Sequence, residues 1–398
     1  MILSHKMQNI SPSKTLEISA KINYLKEQNQ KIFALNSGEP EFDTADHVKQ
    51  AAINAINSGF TKYTEVSGIK ELKLAVLDRL FAQKSLKYSQ DEVIISNGAK
   101  HVLFNLFMTT LNPGDEVVII KPYWNSYTEI INILGGKIVF LDTYLAENFQ
   151  PNFNKLSKLI TKKTKWILLN YPNNPTGKIL SEKSLEALVK FMQFHEEINL
   201  VLDEVYDEIT LGGKKVKNVL ELFPDLKNRV FIVNAVSKSH SMTGWRIGYG
   251  IGSAHIIKAM SILQSHSTSN PSSISQIAAL EAVKSSQDRS KIIMWQNKFD
   301  ILKQNFDSIE GLKYSKPDGG FYVFPDISYF IGLKDHNGNL IKNDLDLTLY
   351  LLEFANIAVI PGSVFGAPNH LRISFTIDLD QLKLAMSSFK NAMLKLKQ

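Results

Sequence analysis

Cysteine is absent from this 398-residue chain, which excludes disulfides, zinc–thiolate sites, iron–sulfur clusters and cysteine nucleophiles. No apolar run approaches the roughly 18 residues that a membrane-spanning helix needs, and the opening segment MILSHKMQNISPSK lacks the apolar centre of a signal peptide. Apolar residues nevertheless make up 44% of the chain, enough for a buried core. We therefore expect a folded, soluble, cytoplasmic protein without a membrane partner.

Arginine is scarce, and the positive charge comes mainly from lysine. The formal net charge is +6 at pH 7, but the lysines are spread along the whole chain, with no basic block longer than residues 161–165. This distribution indicates a solvated surface rather than a nucleic-acid partner. The scarcity makes each arginine a candidate for bidentate binding of a carboxylate or phosphate. The five arginines are Arg79, Arg229, Arg246, Arg289 and Arg372.

Between residues 44 and 284, short apolar runs alternate with amphipathic helical patterns. Each run is rich in β-branched residues and is bounded by Gly, Pro, Asn or Asp, as expected of a strand that is covered on both faces. The alternation predicts an α/β fold in which a mostly parallel sheet carries helices on both faces. The seven runs span residues 93–96, 117–120, 138–141, 166–170, 200–203, 230–234 and 247–251.

The pattern changes near Ser285. A long helical stretch from residue 286 to about 309 leads to two segments, 319–324 and 370–375, that alternate like half-exposed strands. These features predict a smaller α+β domain. The expected division is an N-terminal arm over 1–43 that packs on this domain or on a partner subunit, a large domain over 44–285 and the small domain over 286–398.

Four segments place ligand-binding groups where strands end, which is the usual binding edge of an open α/β sheet. The turn at Gly98 opens a helix whose free backbone N–H groups suit an anion, although an ordinary strand–helix turn has the same appearance. Two prolines stiffen the loop that carries Asn174. Asp203 ends an apolar strand, where a carboxylate needs a cation unless it caps a helix or binds a metal. Lys238 lies eight residues before Arg246 on a loop of small residues, as in an imine-forming site beside a phosphate.

One ligand suits all four segments. Pyridoxal 5'-phosphate offers an aldehyde to a lysine, a ring nitrogen to an aspartate, a phenolic oxygen to amide and hydroxyl donors, and a phosphate to a helix terminus and an arginine. Since none of the nine histidines stands in an H-E-x-x-H pair, metal catalysis is not expected.

In their order and residue identities, the motifs resemble those of the class I aminotransferases of pyridoxal-phosphate fold type I, over nearly the whole chain. The branch that looks most similar contains the bacterial aspartate and aspartate/prephenate aminotransferases. The resemblance implies the fold type I architecture, with its large seven-stranded domain and its small domain. The motifs that carry it are Gly38-Glu-Pro, Tyr63-Thr, Gly98-Ala-Lys100, Pro122-Tyr-Trp124, Asn173-Asn-Pro-Thr-Gly177, Asp203-Glu-Val-Tyr206, Ser237-Lys-Ser, Gly244-Trp-Arg-Ile-Gly248 and Leu371-Arg-Ile-Ser374.

The resemblance implies cofactor-binding roles for single residues. Lys238 becomes the Schiff-base lysine and the base that moves the substrate α-proton, with Lys100 as the competing candidate. Asp203 pairs with the pyridine nitrogen, and Tyr206 and Asn174 hydrogen-bond the phenolic oxygen. The further implied cofactor contacts are Trp124 on the ring face, Gly98, Ala99, Ser237 and Arg246 at the phosphate, Lys100 beside that turn, and Tyr63 from a neighbouring subunit of a homodimer.

The same resemblance implies a substrate site. Arg372 clamps the α-carboxylate with Asn174 and the backbone at Gly38, while Trp124 borders the substrate. Segment 265–271 lacks the arginine that some aspartate aminotransferases use for the distal carboxylate; the similar branch uses the equivalents of Lys100 and Thr15. Lys14 departs from the small residue usual in that branch. The expected reaction is a ping-pong transfer between aspartate and 2-oxoglutarate, with prephenate as a further acceptor.

Other readings remain open at this point. Transamination of aromatic or other amino acids and a carbon–sulfur lyase of the same fold differ from the leading hypothesis only in substrate or reaction. A transcription regulator with an aminotransferase-like domain would need a DNA-binding module, for which the segment before Gly38 is short. A nicotinamide dehydrogenase is disfavoured because residues 248–252 lead to Ser253, where the third glycine of G-x-G-x-x-G belongs. We instead expect these glycines to permit close packing around a strand.

Overall fold

The computed structural model describes residues 21, 22, 24, 25, 27, 28, 30–286 and 288–398. Thr15 and Lys14, to which the sequence assigned substrate selection, lie outside the described residues. The strands are β1 (Phe33–Ala34), β2 (Val93–Ser96), β3 (Glu116–Lys121), β4 (Lys137–Asp142), β5 (Thr164–Asn170), β6 (Asn199–Asp203), β7 (Val230–Ala235), β8 (Gly248–Ile251), β9 (Tyr322–Val323), β10 (Ile357–Ala358), β11 (Ile360–Pro361) and β12 (Leu371–Ser374).

The α-helices alternate with the strands of the large sheet and then dominate the C-terminal third. From residue 30 onward they are α1 (Asp46–Asn57), α2 (Lys70–Lys84), α3 (Ala99–Thr110), α4 (Ser126–Ile133), α5 (Phe153–Leu156), α6 (Glu182–Phe194), α7 (Val219–Leu222), α8 (Val236–Ser239), α9 (Ala254–Ser265), α10 (Ser273–Lys284), α11 (Arg289–Phe306), α12 (Asp344–Ala355) and α13 (Leu379–Leu394). Short 3₁₀ helices cover Gln90–Glu92, Leu145–Glu147, Pro224–Arg229, Thr243–Trp245, Ser328–Phe330 and Gly362–Phe365. Within the described ranges, no helix combines the length and apolar character needed to cross a membrane.

The central sheet contains all seven predicted strands, in the order β2-β8-β7-β6-β5-β3-β4. Its pairs are parallel except those of β8, which runs antiparallel to both β2 and β7. The glycines of β8 permit close packing, as predicted: a Cβ on Gly248 would come within 2.4 Å of the backbone nitrogen of Ala99, and one on Gly250 within 2.6 Å of the Phe231 ring. These glycines therefore serve packing rather than a dinucleotide loop.

Helices cover both faces of this sheet, which explains why its strands are continuous apolar runs. One face contributes alternate residues such as Ile167 and Leu202 to a core shared with α1, α2, α6 and α10. The other face contributes Leu168 and Val201 to a core shared with α3, α4 and α9. Helix α6 begins after Ser181, whose side chain accepts a hydrogen bond from the backbone N–H of Ser184.

The C-terminal elements share a separate core built from α11, α12 and α13 around the small sheet β11-β12-β9. The prediction of half-exposed strands here was wrong, since every residue of β9 and β12 is buried. The polar residues that produced the alternation do not face solvent. Ser374 lies in the interior and Arg372, 7% exposed, points into the pocket described next.

Candidate active site

A cavity of about 460 Å³ opens at the carboxyl edge of the central sheet, where β5, β6 and β7 end. Most of the residues that the sequence singled out line it, although they come from segments more than 300 residues apart. The lining comprises Gly38, Glu39, Ala99, Lys100, Trp124, Tyr127, Asn170, Asn174, Asp203, Val205, Tyr206, Ala235, Ser237, Lys238, Thr243, Arg246, Tyr322 and Arg372.

Lys238 lies on the short helix α8, directly after β7, and is the amine of this cavity with the most altered acidity. Its Nζ donates a 2.6 Å hydrogen bond to the carbonyl oxygen of Gly38. Burial, assisted by the charges of Arg372 and Arg246, lowers the pKa of Lys238 to about 8. A substantial fraction of this amine is therefore neutral, and so nucleophilic, near physiological pH.

Asp203 ends β6 and is 3% exposed. Its Oδ2 accepts a 2.6 Å bond from the hydroxyl of Tyr127, and its Oδ1 accepts a 3.2 Å bond from the backbone N–H of Val205. Burial raises the pKa of Asp203 to about 6. The site thus holds a carboxylate that a cationic ligand group would stabilise.

Arg372, on β12 of the small sheet, also lines the cavity. Nη2 donates 2.8 Å to the carbonyl oxygen of Asn36, and Nη1 donates 3.3 Å to Oδ1 of Asn174. The guanidinium carbon lies 4.5 Å from the ring centroid of Tyr322 and 5.1 Å from that of Phe365. The buried Nε finds no hydrogen-bond partner among the described residues. A buried guanidinium with spare donor capacity suits a carboxylate ligand.

The loop after β5 holds Asn174 in place. The backbone N–H of Asn174 donates 2.9 Å to Oδ1 of Asn170, whose side-chain amide donates 3.0 Å to the carbonyl oxygen of Asp203. Asn170 therefore links this loop to Asp203, the last residue of β6. The stiffness that the sequence attributed to prolines also depends on these hydrogen bonds.

The N-terminus of α3 faces the cavity beside Arg246. Gly98 caps this helix with a φ of 84° and no side-chain hydrogen bond, and a Cβ there would come within 2.2 Å of a guanidinium nitrogen of Arg246. Only glycine fits both the left-handed backbone and this approach. Arg246 is held by bonds of 2.9 Å to the carbonyl oxygen of Thr243 and 3.2 Å to that of Asn97. Uncapped N–H groups, a helix dipole and a guanidinium make this end an anion site.

Lys100 extends from the first turn of α3 along another wall. Its Nζ lies 4.8 Å from the ring centroid of Trp124. Burial, together with the charge of Arg246, lowers the pKa of Lys100. Besides Arg372 and Arg246, the cavity therefore offers a further cation for a ligand with more than one negative group.

Three of the sequence-derived residues are not in the lining: Gly98, Tyr63 and Thr15. Tyr63 is 89% exposed, and Thr15 lies outside the described residues. Conversely, the sequence reading missed Tyr127, Asn170 and Tyr322. Tyr127 belongs to the segment after Pro122-Tyr-Trp124, and Tyr322 to an aromatic strand that reads as core, so neither carries a local signal of its partner.

Comparisons with known proteins identify the family. The model of the family "Aminotransferase class I and II" matches residues 30–389. A probable aspartate/prephenate aminotransferase of Rickettsia prowazekii is 42% identical over 393 residues, which are 98% of each chain. An aspartate aminotransferase of Rhizobium meliloti is 40% identical over 383 residues, 96% of this chain and 93% of the relative.

Solved structures give the same result for the fold. The crystal structure of the Rhizobium meliloti aspartate aminotransferase has a TM-score of 0.97 at 39% identity and covers 100% of both chains. The Thermus thermophilus aspartate aminotransferase with maleate has a TM-score of 0.90 at 35% identity, covering 98% of this chain and 100% of the other. The chain therefore belongs to the class I and II aminotransferases, the family that its motifs resemble.

Proposed function

We propose that this aminotransferase binds pyridoxal 5'-phosphate in the cavity and moves amino groups between aspartate and 2-oxoglutarate in a ping-pong reaction. The observation that carries the proposal is the convergence, in one cavity, of a lysine of lowered pKa, a buried carboxylate and two separate cationic walls. Relatives named aspartate or aspartate/prephenate aminotransferase, at 40–42% identity over nearly the full chain, support the substrate class.

The residues present fit this cofactor. The Gly98 turn and Arg246 form an anion cradle that a Cβ would fill, which suits the phosphate, with Ser237 and Ala99 beside it. Asp203 suits a protonated pyridine nitrogen, Tyr206 and Asn174 suit the phenolic oxygen, and Trp124 suits the ring face. When bound, pyridoxal phosphate supplies an aldehyde that condenses with amines and a ring that accepts the electron pair left on the substrate carbon.

The protein's own residues supply the proton transfers. Nζ of Lys238, once neutral, can accept a proton from the substrate α-carbon and return it, and its lowered pKa suits this exchange near neutral pH. The negative charge of Asp203 would keep the pyridine nitrogen of the cofactor protonated. Buried Tyr127 and Val205 orient that carboxylate.

Substrate orientation would depend on the two cationic walls. Arg372, with Asn174, would bind the α-carboxylate in a bidentate manner, and the backbone at Gly38 would border it. Lys100 would then pair with the distal carboxylate of aspartate, 2-oxoglutarate or prephenate, and Thr15 is the further residue proposed for that end. A steady-state comparison of oxaloacetate, 2-oxoglutarate, prephenate and phenylpyruvate as acceptors tests this. Release of pyruvate without amino transfer would instead indicate a carbon–sulfur lyase.

The exposed Tyr63 supports a homodimer with shared sites, because its side chain is available to a neighbouring subunit. We also propose a cytoplasmic location and the division into 1–43, 44–285 and 286–398. Sedimentation velocity tests the dimer. Mixing Tyr63→Phe with Lys238→Ala tests sharing, since a shared site predicts recovery of activity in one of the two sites of the mixed dimer.

A further inference from the structure

Tyr322 lies at the centre of the candidate site, although no sequence motif assigned it a role. It belongs to β9, is 1% exposed and lines the cavity. Its ring and its hydroxyl have different neighbours. The ring carries the guanidinium of Arg372 at 4.5 Å from the centroid, while the hydroxyl oxygen lies 3.0 Å from that of Tyr206.

The ring of Tyr322 restricts the orientation of Arg372. The guanidinium is near two aromatic rings, those of Tyr322 and Phe365. Its two terminal nitrogens bond to Asn36 and Asn174, and Nε is left without a partner. A cation over an aromatic face is attracted to it, and the attraction grows when water is excluded. The Tyr322 ring therefore helps to hold the guanidinium in its place in the cavity.

The hydroxyl of Tyr322 also approaches Gly38. A Cβ on Gly38 would stand 3.6 Å from the Tyr322 oxygen, and the carbonyl oxygen of Gly38 accepts the hydrogen bond from Lys238. The Tyr322 hydroxyl thus lies beside the segment to which the amine of Lys238 is hydrogen-bonded. Exchange of Tyr322 for a smaller side chain would remove its contacts with Arg372 and Tyr206.

The direction of the bond between the two tyrosines has a functional consequence. Each hydroxyl has a single proton, so Tyr206 can donate into the cavity only if Tyr322 donates to Tyr206. Burial raises the pKa of both hydroxyls, and the charge of Arg372 opposes the rise in each. When a ligand oxygen in the cavity accepts the Tyr206 proton, Tyr322 is the donor of the 3.0 Å bond between the two hydroxyls.

We propose that Tyr322 is a positioning residue with two separable tasks: its ring orients Arg372 for the substrate carboxylate, and its hydroxyl donates to Tyr206 so that Tyr206 can donate to the cofactor. The second task rests on the proposed function. The two tasks predict that removal of the hydroxyl and removal of the ring change different measurable quantities.

The test compares Tyr322→Phe, Tyr322→Met and the control Tyr350→Phe in the pyridoxal-phosphate-loaded protein. Tyr350 belongs to the same core, and its hydroxyl donates 2.9 Å to the carbonyl oxygen of Ala392. The control therefore loses one buried hydrogen bond outside the cavity. Three quantities are measured: the pH midpoint of the bound cofactor's visible absorbance, the dissociation constant of the unreactive dicarboxylate maleate, and the melting temperature.

For Tyr322→Phe, the absorbance midpoint should rise by about half to one pH unit, because a weaker Tyr206 donor stabilises the ionised phenolic oxygen less. Maleate binding should stay within about twofold, since the ring remains. For Tyr322→Met, the midpoint should rise similarly and maleate should bind about 2- to 30-fold more weakly. If the methionine variant does not fold, Tyr322→Leu replaces it.

Two results would overturn the inference. A Tyr322→Phe midpoint equal to that of Tyr350→Phe would show that the hydroxyl does not act on the cofactor. Unchanged maleate binding in a folded Tyr322→Met protein would remove the task of the ring. Both of these results are obtained with protein that binds pyridoxal phosphate, so they leave the proposed function intact. A wild-type protein that binds no pyridoxal phosphate would instead overturn the proposed function, and the task of the Tyr322 hydroxyl with it.

Discussion

The hydroxyl of Tyr127 donates a 2.6 Å hydrogen bond to Oδ2 of Asp203, although 76 residues separate the two in the chain. Within the described part of the chain, no lysine, arginine or histidine nitrogen lies within 4.0 Å of the Asp203 oxygens. Two neutral donors therefore hold this buried carboxylate, and the charge of Lys238 offsets only part of the cost of its burial. Such an arrangement destabilises the unliganded protein and favours a cationic ligand.

Asp203→Asn should stabilise the cofactor-free protein near pH 7. The folded protein keeps the Asp203 proton up to pH of about 6, whereas an unfolded chain releases it near 3.9. The native state binds more protons in that window, so its stability falls as pH rises through it. Removing the charge should add roughly 2–3 kcal/mol to the free energy of unfolding at pH 7.

Urea unfolding at pH 7 and at pH 3.5 checks this expectation. The asparagine keeps an acceptor for Val205, and the Tyr127 hydroxyl can turn to accept from the new amide. The stabilisation should vanish at pH 3.5, where wild-type Asp203 is protonated. Equal effects at both pH values would contradict the assignment to charge.

Lys84→Met should destabilise the protein at the segment after β6, where the partners of Lys84 flank Tyr206. Lys84 at the end of α2 pairs with Glu204 and, at 2.8 Å, with Asp207, and all three side chains are at most 6% exposed. Removing the cation leaves two buried carboxylates unpaired, which costs about 3–5 kcal/mol. Chemical denaturation measures the loss. The triple variant Lys84→Met, Glu204→Gln, Asp207→Asn should recover much of it, and no recovery would show that the charges are not the cause.

Lys100→Ala should lower kcat/KM for dicarboxylate substrates far more than for neutral ones. Arg372 is proposed to bind the α-carboxylate, which both classes of substrate have, whereas Lys100 would bind the distal carboxylate that only the dicarboxylates have. Loss of one member of a desolvated charge pair costs about 2–5 kcal/mol. Aspartate and alanine as amino donors provide the comparison. The control is Lys258→Ala, an exposed lysine on α9. Equal losses for both donors would remove Lys100 from substrate selection.

Capture of pyridoxal phosphate by the cofactor-free protein should accelerate as pH rises from 6 to 9, with a midpoint near 8. Only the neutral amine adds to an aldehyde, and burial lowers the pKa of Lys238 to about 8. Stopped-flow absorbance measures the rate. Free Nα-acetyl-lysine, with an ordinary amine pKa near 10.4, is the reference. A protein profile that coincides with this reference would show that the site does not alter Lys238.

Sequence patterns were sufficient to predict the central sheet because its strands are covered on both faces. Their apolar runs end where polar residues begin, and β2 has the predicted bounds of 93–96. The structure extends β3 to Glu116 and Lys121, since backbone hydrogen bonds continue past the apolar side chains. Hydrogen bonds, rather than hydrophobicity, set those ends.

The pattern misled where polar residues are buried for function. Arg372 and Ser374 gave β12 the alternation of a half-exposed strand, yet the strand is interior. Tyr127 and Tyr322 could not be predicted because their partners, Asp203 and Tyr206, are distant in the chain. Local patterns contain no information on such pairings, which only the folded chain creates.

The most direct test reduces the pyridoxal-phosphate-loaded protein with borohydride and locates the cofactor by peptide mass spectrometry. The account predicts a single adduct on Lys238 in the wild type. It predicts none in Lys238→Ala, which should fold with an unchanged circular dichroism spectrum. An adduct on Lys100, or one that persists in Lys238→Ala, would contradict the account.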